Sequence, residues 1–85
     1  MRSFTHTVLD PLGLHARPAG LLAKKIQQYP CKVTVSAGDK TADGRRVLAL
    51  MKMGVKSGQE LLFSLEGEGE EQAAEELAVF CKENI

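Results

Sequence analysis

Residues 10–30 read DPLGLHARPAGLLAKKIQQYP, and the fold turns on how this stretch is read. Asp10-Pro11-Leu12-Gly13 is a loop punctuated by proline and glycine. From Ala16 to about Gln28 the spacing is helical: Ala19, Leu22, Ala23 and Ile26 fall at i, i+3, i+4 and i+7 and make one apolar stripe. Pro18 lies in the first turn, where a missing N–H costs nothing. Tyr29-Pro30 stops the helix, because the residue before a proline resists the α region. A helix with a single apolar stripe needs a surface to cover, and the flanking sequence has to provide it.

It provides strands. Ser3 to Leu9 alternates, with Phe4, His6 and Val8 on one face and Thr5, Thr7 and Leu9 on the other. Cys31 to Ser36 alternates with Cys31, Val33 and Val35 inward, and Gly38-Asp39 suits a tight hairpin turn into a short strand over Lys40 to Ala42. Val47 to Met53 predicts a short helix stopped by Gly54, too apolar on all sides to be a fully solvated one. Glu60 to Glu66 alternates again, with Leu61, Phe63 and Leu65 together. The last helix runs from near Gly69 to about Asn84 on a stripe of Ala73, Leu77, Phe80 and Cys81, with Glu70 and Glu71 complementing the dipole of its first turn. The order β-α-β-β-α-β-α, one apolar face per element, predicts an α+β fold of two layers: helices on one side of an antiparallel sheet. The outer sheet face carries Thr5, Thr7, Lys32, Thr34, Ser64 and Glu66, which tolerate water. Periodicity does not fix the strand order.

At 85 residues the chain makes one domain, 1–85, with no room for a second core. With 44% hydrophobic and 26% charged residues it is neither disordered nor fibrous, and no apolar run reaches the roughly 18 residues of a membrane span. The N-terminus has no signal-peptide block and two cysteines make no disulfide framework, so the expected compartment is the cytoplasm. The net charge of zero hides a division: residues 1–59 hold ten Lys and Arg against three Asp (+7), and residues 60–85 hold one Lys against eight Glu (−7). Nucleic acid is disfavoured, since there is no basic run and aromatics are few.

The chemistry lies in Gly13-Leu14-His15-Ala16-Arg17-Pro18-Ala19-Gly20. A histidine stands at the N-cap of a helix, where the N–H groups of Ala16 and Arg17 are free and the dipole is positive, which is an anion site. That end disfavours imidazolium, and the neutral ring is the nucleophilic form. If His15 took up a phosphoryl group, the amides and the Arg17 guanidinium would meet its oxygens. The competing reading is that His15 only caps the helix. Other candidates are weaker: His6 faces inward beside Phe4 and Val8, and Cys31 and Cys81 occupy apolar positions with no zinc-like spacing. There is no phosphate-binding glycine loop for ATP.

On the Gly13–Gly20 motif, the chain length and the element order, the sequence resembles the HPr family, the histidine-containing phosphocarriers of the phosphoenolpyruvate-dependent sugar phosphotransferase system. The resemblance spans essentially the whole chain. It implies an open-faced β-sandwich, a four-stranded antiparallel sheet of order 1-4-2-3 covered on one face by three helices. It further implies that His15 takes a phosphoryl group on Nδ1 from Enzyme I and passes it to IIA domains of sugar permeases. Arg17 would steady that group, and the carrier itself would hold no metal or cofactor. By the same resemblance Ala16, Gly20 and Lys24 of the first helix and Arg46, Val47, Leu48, Met51 and Lys52 at the second form a docking patch, apolar at the centre and basic at the rim; the alternative is that Leu48 and Met51 belong to the core. A monomer without membrane insertion is expected.

One position departs from the family. Members of this type carry a regulatory serine at the start of the second helix, and this chain has Arg46 there, so serine-linked control is expected to be absent. Arg45 and Arg46 are expected instead to steer acidic partners toward His15. Two rival functions share the motif: a regulatory paralogue that feeds the same chemistry into a signalling chain, and a module that acts by docking alone.

Overall fold

Each apolar face identified in the sequence finds its partner. In a computed structural model describing residues 1–85 the elements are β1 (Arg2–Thr7), α1 (Ala16–Ile26), β2 (Lys32–Ala37), β3 (Lys40–Asp43), α2 (Val47–Lys52), β4 (Glu60–Glu66) and α3 (Glu70–Asn84). The strands form one antiparallel sheet in the order β1-β4-β2-β3. β4 is therefore central, and Phe63 pairs with Phe4 of β1 on one side and Val35 of β2 on the other. The Phe4 and Phe63 rings stack with centroids 4.6 Å apart. Val33, Val35, Leu61, Phe63 and Leu65 of the sheet bury against Leu22 and Ile26 of α1, Leu50 of α2 and Leu77 of α3, in one core cluster. On the opposite face Thr5, Thr7, Lys32 and Glu66 are exposed, and Thr34 and Ser64 half-buried.

The element limits shift by a residue or two. β1 begins at Arg2 and ends at Thr7, because the Leu9 N–H leaves the sheet for the carbonyl of Ile85 (2.8 Å) and its side chain turns to solvent. α1 stops at Ile26 rather than Gln28; the N–H groups of Gln28 and Tyr29 bond three residues back, to Lys25 and Ile26, tightening the end into turns. Cys31 precedes β2, which reaches Ala37, and β3 extends to Asp43. α2 ends at Lys52, one residue early. α3 begins at Glu70 with Gly69 as its N-cap, and Phe80 is only half-buried.

Two loops bring α1 to its place. Gly13 sits at φ +73°, and a Cβ there would lie 2.3 Å from the Val55 carbonyl oxygen. That close approach lets the Leu14 N–H bond the same carbonyl at 3.0 Å. The segment before α1 is thereby tied to the loop after α2, and His15 follows immediately.

Candidate functional site

His15 is the N-cap of α1, in an extended backbone conformation (φ −89°, ψ −171°). Its carbonyl accepts the Ala19 N–H at 3.0 Å, but its side chain makes no capping hydrogen bond. The ring is thus not engaged in satisfying the helix end, and the capping-only reading loses its physical basis. The amides of Ala16 and Arg17 lie ahead of the hydrogen-bond ladder, Pro18 has none to offer, and the first turn holds no acidic residue. Arg17 is exposed at the same groove, and the His15 side chain is 34% exposed. The imidazole therefore stands half-open to a partner at the positive end of a helix, beside a free guanidinium.

The structure adds a residue that reading the sequence did not single out. Asp10 Oδ2 lies 3.4 Å from His15 Nε2. The carboxylate is anchored: its Oδ1 accepts the Leu12 N–H at 2.9 Å, the Asp10 carbonyl accepts the Gly13 N–H at 2.9 Å, and its own N–H donates to the Ile85 carbonyl at 3.0 Å. The Leu12 N–H, helped by His15 and Arg17, holds the Asp10 carboxyl below the usual carboxylate range, so it is ionised at neutral pH. A signal was present: Asp followed by Pro, with Gly at the fourth position, is a turn signature in which the Asp side chain bonds the backbone two residues on. What the signature does not reveal is that the turn folds the carboxylate back onto a residue five positions later.

The positions expected to dock partners differ in exposure. Ala16 and Lys24 are exposed and Gly20 half-buried on α1; Leu48 is 70% exposed on α2, with Met51 and Lys52 exposed and Val47 half-buried. Arg46 is exposed as the N-cap of α2 and its side chain makes no capping bond. Arg45 is held in place: its guanidinium donates to the carbonyls of Tyr29 and Cys31, and its backbone N–H to Asp43 Oδ1 at 3.0 Å. It clamps the end of α1 to the entry of β2 while remaining exposed, with its charge unpaired by any carboxylate. His6 is buried, with Nε2 lacking any hydrogen-bond partner, and burial pulls its pKa down. Cys31 and Cys81 are buried, and burial pushes the Cys81 thiol up to about 12.

A family model described as "PTS HPr component phosphorylation site" matches residues 2–83. The chain belongs to the HPr family. A relative named "Phosphocarrier protein HPr", from Lysinibacillus sphaericus, is 37% identical over 83 residues, covering 98% of this chain and 94% of its own. A "Multiphosphoryl transfer protein" from Salmonella typhimurium is 42% identical over 64 residues, which cover 72% of this chain and 17% of that one. Among solved structures, an HPr from Thermoanaerobacter tengcongensis superimposes with a TM-score of 0.92 at 27% identity, over 99% of this chain and 94% of that one. Membership of the HPr family makes the protein a phosphocarrier of the phosphotransferase system rather than an enzyme, and its partners are phosphotransfer proteins of that system. No helix is long and apolar enough to cross a membrane.

Proposed function

We propose that His15 accepts a phosphoryl group on Nδ1 from the phosphorylated histidine of Enzyme I and donates it to IIA domains of sugar permeases, in the cytoplasm. One observation carries this reading: a half-exposed imidazole whose Nδ1 has no hydrogen-bond partner, at a helix head whose first amides precede the ladder, with Arg17 alongside. Those amides and the guanidinium are the donors a phosphoryl dianion needs, and apposed protein surfaces keep water out during transfer. Residues 1–85 act as one HPr domain and as a monomer. Ala16, Gly20, Lys24, Arg46, Val47, Leu48, Met51 and Lys52 receive the partners; an adaptable Met and an exposed Leu suit a surface that must accept more than one.

The test is incubation with Enzyme I and labelled phosphoenolpyruvate, followed by addition of IIA domains. Label that is acid-labile and base-stable, lost in His15→Ala and discharged onto a IIA domain, is the expected result. Label on His15 that no IIA domain removes would assign the chain to regulation instead. A competent Enzyme I that leaves no label would reduce it to a docking module.

A further inference from the structure

Asp10 stands against the ring nitrogen that the transfer does not use. We propose that Asp10 is a positioning residue for phosphoryl transfer: its carboxylate holds the His15 proton on Nε2 and so keeps the Nδ1 lone pair free. The inference rests on His15 being the acceptor.

The argument is one of donors and acceptors. An ionised carboxylate only accepts hydrogen bonds. Facing Nε2 at 3.4 Å, Asp10 Oδ2 favours the tautomer in which Nε2 carries the hydrogen, which leaves Nδ1 as the nucleophile. The contact is long for a hydrogen bond in the resting protein, and such contacts tighten as charge develops. The carboxylate is not free to swing away, since its other oxygen is held by Leu12 and its backbone by Gly13 and Ile85. In the transfer the Nδ1 lone pair forms the bond to phosphorus while the bond from phosphorus to the donor's nitrogen breaks, and that nitrogen keeps the electron pair. The Nε2 proton stays where it is. The ring gains positive charge as Nδ1 is substituted, and a carboxylate on Nε2 stabilises that charge in the way an aspartate orients and supports a histidine in a hydrolase triad. Arg17 and the helix amides meet the phosphoryl oxygens on the other side, so the two halves of the developing charge pair each have a counter-group.

The experiment uses the full chain labelled with ¹⁵N in its imidazoles. Two-bond nitrogen–proton correlation spectra at a pH where the ring is neutral report which nitrogen of His15 bears hydrogen, and phosphoryl transfer from Enzyme I is timed on the same samples. Asp10→Asn retains an oxygen for the Leu12 N–H but turns an NH₂ donor toward Nε2, which favours hydrogen on Nδ1. The wild type is expected to show the Nε2–H tautomer and Asp10→Asn a shift toward Nδ1–H. The variant's turnover should fall on the order of tenfold or more while its half-saturation by Enzyme I stays unchanged. A wild-type ring protonated on Nδ1 overturns the proposal without recourse to any variant. So does a folded Asp10→Asn protein with wild-type tautomer and rate. Absence of label on wild-type His15 would instead refute the acceptor assignment, which the spectra of the unphosphorylated ring do not depend on.

Discussion

His6 and His15 differ in what surrounds them, and that difference sorts structure from function at the level of single residues. His15 is half-open and keeps one nitrogen free. His6 is 8% exposed, on the inward face of β1, and its Nε2 has no partner. Desolvation lowers the His6 pKa from 6.5, with the Ile85 carbonyl opposing it and Lys82 adding to it. The consequence for stability has a definite sign. In the window below about 6.5 the unfolded chain binds a proton at His6 that the folded protein does not, so stability rises with pH across that window and falls as acid is added. Urea midpoints between pH 7.5 and 5 should therefore decline, and His6→Gln should flatten the decline. The carboxyls of Asp10, Glu70 and Glu76 are held below their ordinary values by hydrogen-bond donors, so their stabilisation is present above about pH 4.5 and is lost only at lower pH. An unchanged slope in His6→Gln would mean that His6 is not the group that titrates.

Among the elements, the connection before α1 determines where the site sits. Gly13→Ala would force a side chain into a positive φ and drive its Cβ to 2.3 Å from the Val55 oxygen. Backbone strain of this kind costs about 1–3 kcal/mol, and the clash adds to it, so the urea-derived stability should fall by at least about 2 kcal/mol. Phosphoryl transfer should fall too, because the Leu14–Val55 bond that precedes His15 is disturbed. Wild-type stability in Gly13→Ala would show that the loop yields freely. This is also the scale at which the sequence was most and least legible. Alternation over Glu60–Glu66 predicted β4 to the residue, and the stripe Ala19, Leu22, Ala23, Ile26 is buried in full, because burial on one face imposes a period. Element ends were displaced where a partner distant in sequence took over a hydrogen bond, as Ile85 does for Leu9. The 1-4-2-3 order came only through the family resemblance, since alternation says which face is buried and nothing about which strand lies beside it. The place of His15 at the head of α1 and of Arg17 in its first turn was legible in the motif, and the exposure of Leu48 only through the resemblance. Asp10 and the Arg45 clamp were not, since both act through contacts that close only when a loop folds back.

Over the whole molecule the division of charge becomes a direction. The excess glutamates of residues 60–85 gather on α3, whose N-terminal end carries Glu70 and Glu71 beside the start of β1, bonded to Met1 and Arg2. The groove of His15 lies at the other end of β1 and is lined by Arg17 together with Asp10 and Glu83, while Lys24, Arg46 and Lys52 are exposed on α1 and at α2. A six-residue strand spans about 20 Å, twice the screening length of about 10 Å at 0.1 M salt, so Glu70 and Glu71 act little on a partner at the groove, where the local field is that of Arg17 against Asp10 and Glu83. Arg45 is fixed against backbone carbonyls, and Arg46 stands exposed at the head of α2 with no capping bond, so Arg46 is the cation there that can be removed without disturbing a hydrogen bond. Arg46→Ser should therefore slow association with an acidic partner several-fold at low salt and flatten its dependence on ionic strength, with little change near 1 M, where screening is complete within about 3 Å. Arg2→Ser is the matched control: it removes the same charge from the Glu71 end and should leave the slope at its wild-type value. Stopped-flow transfer from phospho-Enzyme I across a salt series measures both. If Arg46→Ser and Arg2→Ser give the same slope, the arginine at the head of α2 contributes to docking by contact alone, and the long-range field does not guide the encounter.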